Sequence, residues 1–325
     1  MVPRLLSLIA MSTALIAGAP SAEAQSWPAR PVRIIVPFGP GGAADSLPRL
    51  LGPKLTDTWG QAVVIENRTG AAGNIGMELG ARAAPDGYTL TSAPVGNLAI
   101  NPHMYTKLAY DVFKDFTPIT LIGSVQNVLV VNPSVPAQTL AEFIAHAKAN
   151  PGKLSFGSGG VGSQAHMGGE LLKAMAGIDM VHVAYKGVGD SMKDLLGGQI
   201  AMVCAQVPAA APLVQAGKLR ALGVASARRT PVMPNVPTVS EAANLTDFEA
   251  VSWYALVGPA GLPREIVARI QSEVARVVQL PEIRDRMLGM GAEPVGSTPE
   301  QLVAAIKQDY ERYGAIIKRL GIKAD

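Results

Sequence analysis

VPFGPGGAADSLPRLL, residues 36–51, sets glycine or proline at four successive positions, 39 to 42, between an apolar strand-like run and a helix-like run. Glycine in such a turn admits positive φ and removes the Cβ atoms that would hold a ligand away from the backbone. Successive N–H groups then converge on an anion, and the helix that follows adds the positive end of its dipole. SFGSGGVGSQAHM, residues 155–167, repeats the construction later in the chain. One such turn is weak evidence, because a tight strand-to-helix connection needs glycine for geometry alone. Two of them predict a pair of hollows that face each other across a cleft and hold a carboxylate or phosphate.

Around both turns, short β-rich runs alternate with helical patterns. VRIIVPF (32–38), AVVIEN (62–67), YTLTSA (88–93) and TLIGSV (120–125) are separated by ADSLPRLLGPKLTDTW and AGNIGMELGARAA. That rhythm predicts βαβ units and a mostly parallel sheet with helices on its faces. A second series runs through QNVLVVNPS, KLSFGSG, MVHVAY, QIAMVCAQV and LRALGVA. Capping signals recur, with Thr139 and Glu142 opening one helix and Thr298 and Gln301 another that ends at Gly321. The proline-rich RRTPVMPNVPTVSEAAN (228–244) reads as a long surface loop. After FEAVSWYALVG come helical stretches at 263–279 and 299–320, with too few strands for a sheet of their own. They are therefore expected to cover the first sheet, the chain crossing between two lobes near 122–128 and returning near 250–256. The expected division is 25–124 plus 253–325 in one lobe and 125–252 in the other.

With 325 residues, 48% of them hydrophobic, the chain can bury a large core and is long enough for about two domains. Its 28 Lys and Arg against 25 Asp and Glu form no basic cluster interleaved with aromatics, so nucleic acid is not an expected partner. Arg4, the apolar LLSLIAMSTALIAG and then APSAEA, with Ala22 and Ala24 in small-x-small spacing, read as a secretory leader over residues 1–24, cleaved near Ala24/Gln25. The single cysteine, Cys204, allows no internal disulfide and lies in the apolar IAMVCAQV, where a small core residue is expected. His103, His146, His166 and His182 are scattered without metal-ligand spacing, so neither a metal nor a cofactor is expected.

The second glycine turn contains GxGxxG at Gly157, Gly159 and Gly162. A dinucleotide site would need an acid closing the next strand, and MVHVAY ends instead in Tyr185 followed by Lys186. Ser158 and Ser163 lack the GxSxG elbow of a nucleophile and read as a helix cap or as donors to a ligand oxygen. Asp45 has two readings. It is either the N-cap of a helix over 46–57, with Pro48 in the first turn, or a ligand contact. YKGVGDS (185–191) is a third strand-to-helix loop in which Gly187 and Gly189 admit close approach and Asp190 is an N-cap, and SAPVGN (92–97) is a fourth. Trp253 and Tyr254 fall in the returning strand and read as core.

Taken in order, WPARPVRIIVPFGPGGAADS, ENRTGAAGNIG, PDGYTL, KLSFGSGGVGS, AYKGVGDSMKDLLGGQI, GKLRALGVAS, VPTVSEA and GAEPVGSTPEQL resemble the Bug family, the extracytoplasmic receptors of tripartite tricarboxylate transporters. The resemblance covers essentially the whole chain after the leader. It implies an α/β, type 2 periplasmic-binding-protein fold, two lobes joined by two crossing strands around a ligand cleft. It further implies a monomeric, non-enzymatic receptor in the periplasm that closes on a small carboxylate and delivers it to membrane permease components. A sensory accessory protein that reports occupancy to a membrane kinase is the alternative, built on the same cleft. Carried onto this chain, the resemblance implies contacts from Phe38, Gly39, Gly41, Gly42 and Ala43 in one lobe. Ser158, Gly159, Gly162 and Ser163 would answer from the other, and Ser92, Tyr185, Gly187 and Asp190 would line the rest. Neither gripping loop carries Arg or Lys, so selectivity falls to cleft shape and to side chains around Ser92, Tyr185 and Gln206. Pro48, directly ahead of Arg49, departs from the family's usual pattern.

Overall fold

The computed structural model describes residues 27–323, so the expected leader and its expected cleavage site lie outside the described residues. Among the described residues no helix is long and apolar enough to cross a membrane.

β1 (Val32–Val36), α1 (Ala43–Trp59), β2 (Val63–Asn67), α2 (Asn74–Ala81) and β3 (Thr89–Pro94) form parallel βαβ units. A wide turn over 96–100 leads through α3 (Asn101–Met104) to β4 (Phe116–Val125). The chain then passes, with Gln126 alone between them, into β5 (Asn127–Val131), the first strand of a second sheet. There follow α4 (Leu140–Ala149), β6 (Ser155–Ser158), α5 (Gln164–Ala176), β7 (Val181–Ala184), α6 (Val188–Leu196), β8 (Met202–Gln206), α7 (Val207–Gln215), β9 (Arg220–Val224) and α8 (Val239–Ala243). The return is β10 (Ser252–Pro259), back in the first sheet, followed by α9 (Arg264–Val278), α10 (Pro281–Gly289), β11 (Ala292–Pro294) and α11 (Pro299–Leu320).

The expectation of mostly parallel sheets needs correction. Among the described residues, parallel pairing between strands is confined to β2-β1-β3 and β7-β6-β8. β10 runs antiparallel to both β3 and β4, and β5 antiparallel to both β8 and β9. β5 and β10 are the strands that arrive from the other sheet, and they enter against the direction of the local βαβ strands. Hydrophobic patterning marks a strand but carries no direction, which pairing alone decides. The orders β2-β1-β3-β10-β4 and β7-β6-β8-β5-β9 are the same permutation, a structural repeat whose sequence counterpart is the shared plan of strand, glycine turn and helix.

Each sheet is covered on both faces. α1 presents Leu47, Leu51 and Leu55 to Ile270, Val274 and Val277 of α9 over one face of the first sheet. Leu302, Ile306 and Tyr313 of α11 pack with Leu98, Ile100 and Trp253 on the other. In the second sheet Phe143, Phe156, Leu172 and Val239 cover one face, and Met192, Leu195 and Ala210 the opposite one. Each fully buried side chain of this size contributes about 1.5–3 kcal/mol.

The two connections between the sheets are clipped together by Asn127, whose side-chain amide donates to the Ala250 carbonyl and, at 3.1 Å, to Ser252 Oγ. The 228–244 stretch is more ordered than a surface loop. Thr238 and Glu241 form a complete capping box on α8, and Thr238 bridges to Val224 at the edge of the second sheet.

α1 begins at Ala43, three residues before the expected start, with Gly42 as N-cap. Asp45 is therefore inside the first turn, and Pro48 lies in the second turn. Proline there leaves the carbonyl four residues earlier, that of Ala44, without its helical donor. Ser92 Oγ donates to it at 3.1 Å from β3. The helix closes at Gly60, in the left-handed region, whose N–H returns to the Thr56 carbonyl.

Candidate functional site

A cavity of about 860 Å3 lies between the two sheets. It opens at the carboxyl ends of β1, β3, β6, β7 and β8, the position that open α/β sheets use for ligands. Four helices point their N-termini into it, α1 from the first sheet and α5, α6 and α7 from the second. Each end carries a partial positive charge on amides with no intrahelical acceptor. The N-cap residues of α1 and α6 are glycines, and the N-cap of α7, Gln206, does not cap its own helix, so these three ends have no N-cap side chain to accept their amides. Only at α5 does the cap residue, Ser163, take a first-turn amide, that of His166. The arrangement presents hydrogen-bond donors and positive potential from both sides of one space, which suits an anion.

The glycines set this geometry in two ways. Gly41 adopts φ 95°, a left-handed conformation that turns the chain from β1 into α1. Gly159 is a close approach instead, since a Cβ there would lie 3.1 Å from both Cγ2 and N of Val188, at the start of α6. At Gly39, Gly42, Gly187 and Gly189 an added Cβ meets nothing within 4 Å, so the space beside those backbones is open to a guest.

Of the residues named from sequence, Phe38, Gly39, Gly41, Gly42, Ala43, Gly159, Ser163, Gly187, Asp190 and Gln206 line the cavity together. Asp45, Ser92, Ser158, Gly162 and Tyr185 do not, and each has a different task. Asp45, 3% exposed, is neither N-cap nor lining residue. Its carboxylate accepts the Gly41 N–H at 3.2 Å, Arg49 Nε at 2.9 Å and Asn67 Nδ2 at 2.8 Å, so it ties the first glycine turn to β2. Burial alone would raise this carboxyl, but hydrogen bonds from Arg49, Asn67 and Gly41 outweigh it and hold the group below its usual range. Ser92 supports α1, as described above. Ser158 Oγ bridges the backbone of Gly160 and lies 2.7 Å from Nε2 of His182. Gly162 donates its N–H to His166 Nδ1 at 3.3 Å, and Tyr185 donates its hydroxyl to Asp194 at 2.7 Å. Asp190 is inside α6, whose N-cap is Gly187, and it pairs with Lys193 at 3.0 Å.

The second glycine turn is held from behind by two imidazoles in contact, tilted by 32° to each other. The rings of His166 and His182 are 4.0 Å apart. Burial, followed by the charges of His182 and Lys173, pushes His166 down to about 3. Burial and then Lys173 push His182 down to about 4. Both are neutral near pH 7 and serve the loop as hydrogen-bond partners. The first turn is buttressed by the 70–74 segment, where Ala71 and Ala72 hold positive φ. The Ala72 carbonyl accepts from Asn97 at 3.0 Å and Asn101 at 3.4 Å, while Asn74 Oδ1 accepts from Asn97, Asn101 and the Tyr110 hydroxyl.

Sequence reasoning missed several lining residues. Lys186, directly before the α6 N-cap, lines the cavity and has no carboxylate partner among the described residues. Tyr254 is core, at 4% exposed, and also lines the cavity floor, where its hydroxyl accepts from Gln206 Nε2. Met290 and Ala292 reach the cavity from the α10–β11 turn, far along the chain from any glycine loop, and no local signal marks them. Cys204 is buried and burial pushes its thiol up to about 12, so it is no nucleophile. A second cavity of about 520 Å3 beside α3 and α11 is lined by Asp111 and Asp115, whose charges oppose an anion.

Comparison with known proteins gives a consistent result. The sequence model for the receptor of the tripartite tricarboxylate transporter family matches residues 48–322. Protein BugT of Bordetella pertussis (strain Tohama I) is 36% identical over 98% of this chain and 98% of its own length. The solved structure of a protein of R. palustris with adipate is 35% identical, covers 91% of this chain and 99% of that one, and superposes with a TM-score of 0.88. MatC from Rhodopseudomonas palustris with bound malate is 32% identical over 89% of this chain and 99% of its own, with a TM-score of 0.84.

Proposed function

We propose that this chain, which belongs to the tripartite tricarboxylate transporter family of receptors, captures a small dicarboxylate between its two sheets and hands it to the membrane components of such a transporter. It is a solute-binding receptor and not an enzyme. The observation that carries the reading is the convergence of helix N-termini from both sheets on one cavity. The dicarboxylate class is supported by the adipate and malate present in two similar structures.

Magnitudes explain why both sheets must take part. Micromolar affinity needs about 8 kcal/mol net, after an association cost of at least about 4 kcal/mol. Charge-assisted hydrogen bonds contribute about 1.5–3 kcal/mol each, so roughly four to eight are required. One glycine turn presents too few amides, whereas the opposed ends of α1, α5 and α6 present enough.

Binding therefore favours approach of the two halves, which we assign as 25–124 with 253–325 and 125–252, about the connections at Gln126 and 250–252. The ligand contacts in this reading are the lining residues Phe38 to Ala43, Gly159, Ser163, Gly187, Asp190 and Gln206. The receptor acts as a monomer in the periplasm, without its leader, which is cleaved near Ala24/Gln25. A thermal-shift screen over C4 to C6 dicarboxylates, tricarboxylates and aromatic acids, followed by calorimetry, tests the reading. One saturable site for a dicarboxylate is the expected result. Failure of every carboxylate to shift the unfolding midpoint overturns it.

A further inference from the structure

Gln206 makes a contact that crosses the cleft. It stands at the end of β8 in the second sheet, where its Oε1 accepts the N–H of Ala43, the first residue of α1, at 3.4 Å. Its Nε2 donates to the hydroxyl of Tyr254 on β10 of the first sheet. The orientation of the amide is fixed by chemistry, since a backbone N–H can only donate and the atom facing Ala43 must be the carbonyl oxygen. Gln206 thus lays an acceptor against the helix end that has no cap of its own.

We infer that Gln206 is a built-in competitor for the solute, its side-chain carbonyl occupying the α1 N-terminus until a carboxylate displaces it. The inference rests on the anion site proposed above. A charged acceptor makes a hydrogen bond roughly twice as strong as a neutral one, so a carboxylate displaces this carboxamide. A neutral amide or alcohol of the same shape gains nothing by exchanging with it. The contact therefore lowers the affinity of every guest by one factor, which leaves a neutral guest no net gain at this helix end, in a cavity whose two glycine turns carry no Arg or Lys. Its length, beyond the usual range for N–H···O, makes it a weak bond and keeps the cost to a true solute small.

Two variants decide the matter, with adipate and malate as probes and calorimetry as the readout. Gln206→Ala removes the competitor, and whichever acid the wild type binds is expected to bind about three- to tenfold tighter. Gln206→Glu supplies a carboxylate that the Tyr254 hydroxyl can still partner, and affinity at pH 7 is expected to fall at least about 100-fold. Equal or weaker binding by the alanine variant overturns the inference, because Gln206 then adds net affinity for the solute, or none, instead of competing with it. Binding by the glutamate variant within about threefold of wild type overturns it as well. A solute-free arm separates this from failure of the receptor reading. Without any acid, Gln206→Glu should unfold at a higher temperature than wild type and Gln206→Ala at a lower one, and the reverse order refutes the contact even if no tested acid binds.

Discussion

Gly159 offers the sharpest perturbation of the anion site. The residue packs against the start of α6, where a Cβ would sit 3.1 Å from Val188 N and Cγ2. Gly159→Ala therefore crowds the space between two helix ends without adding charge, and Gly159→Asp adds a carboxylate beside the place the solute's carboxylate takes. At a separation of about 4 Å and an effective dielectric of about 20, two like charges repel by about 4 kcal/mol. That is about a thousandfold in affinity, so a micromolar site becomes millimolar. The alanine variant lacks this repulsion and loses only contacts that the displaced α6 amides no longer make, about tenfold. Gly159 has no positive φ, so backbone strain adds nothing, and crowding against Val188 costs about 1–3 kcal/mol of stability. Calorimetry with the solute found by screening, alongside circular dichroism to establish folding, reads both effects. A folded Gly159→Asp protein that binds within threefold of wild type refutes the reasoning, as does an alanine variant that loses as much as the aspartate one.

Three further predictions follow from the support behind the site. Ser92→Ala leaves the buried Ala44 carbonyl without a donor and should cost about 1–3 kcal/mol in denaturant unfolding. In a Pro48→Ala background, where residue 48 regains its N–H, the same change should cost much less, and equal costs in the two backgrounds contradict the assignment. Asp45→Asn removes one of two acceptor oxygens serving Gly41, Arg49 and Asn67. Because Arg49 is half exposed, the expected cost is about 1 kcal/mol. The folded carboxyl sits below its unfolded value, so the difference from wild type is complete above about pH 4 and disappears as pH falls through the folded value. A difference that grows towards acid contradicts this. His166 and His182 titrate near 3 and near 4 in the fold and near 6.5 when unfolded. The unfolded chain therefore binds more protons between about pH 6.5 and 4, and stability should fall on acidification by up to about 1.4 kcal/mol per pH unit for each ring. His182→Gln should reduce that slope measured from pH 7 to 5, and an unchanged slope excludes His182 as a source of it.

Much of this was legible because it depends on local chemistry. The two glycine turns name themselves, since the sequence pattern of strand, glycines and helix is also the structural one, and seven of the residues named in them, Phe38, Gly39, Gly41, Gly42, Ala43, Gly159 and Ser163, line one cavity. Asp45 shows the limit. A helix cap and a loop anchor both place a carboxylate near helix-start amides, and only the observed start of α1 at Ala43 separates them. Pro48 misled for the same reason, because its place in the helix depends on a start that Gly42 sets and a carbonyl that Ser92 rescues from another strand. TVSE was readable as a capping box, yet the prolines before it favoured a loop, and contact with β9 decided otherwise. Strand direction in β5 and β10 was hidden, as were Met290, Ala292 and the reach of Gln206 to Ala43, since each arises from residues that meet only after the chain has crossed between sheets twice.

The central claim is that backbone amides at helix ends from both halves hold the same anion, and an amide-resolved NMR titration with the screened dicarboxylate tests it most directly. Saturable shifts with a single dissociation constant are predicted for the amides of Gly42, Ala43 and Ala44 together with those of Gly159, Val188 and Gly189. Shifts confined to one of these two groups, or centred on the cavity beside α3 and α11, would contradict the account.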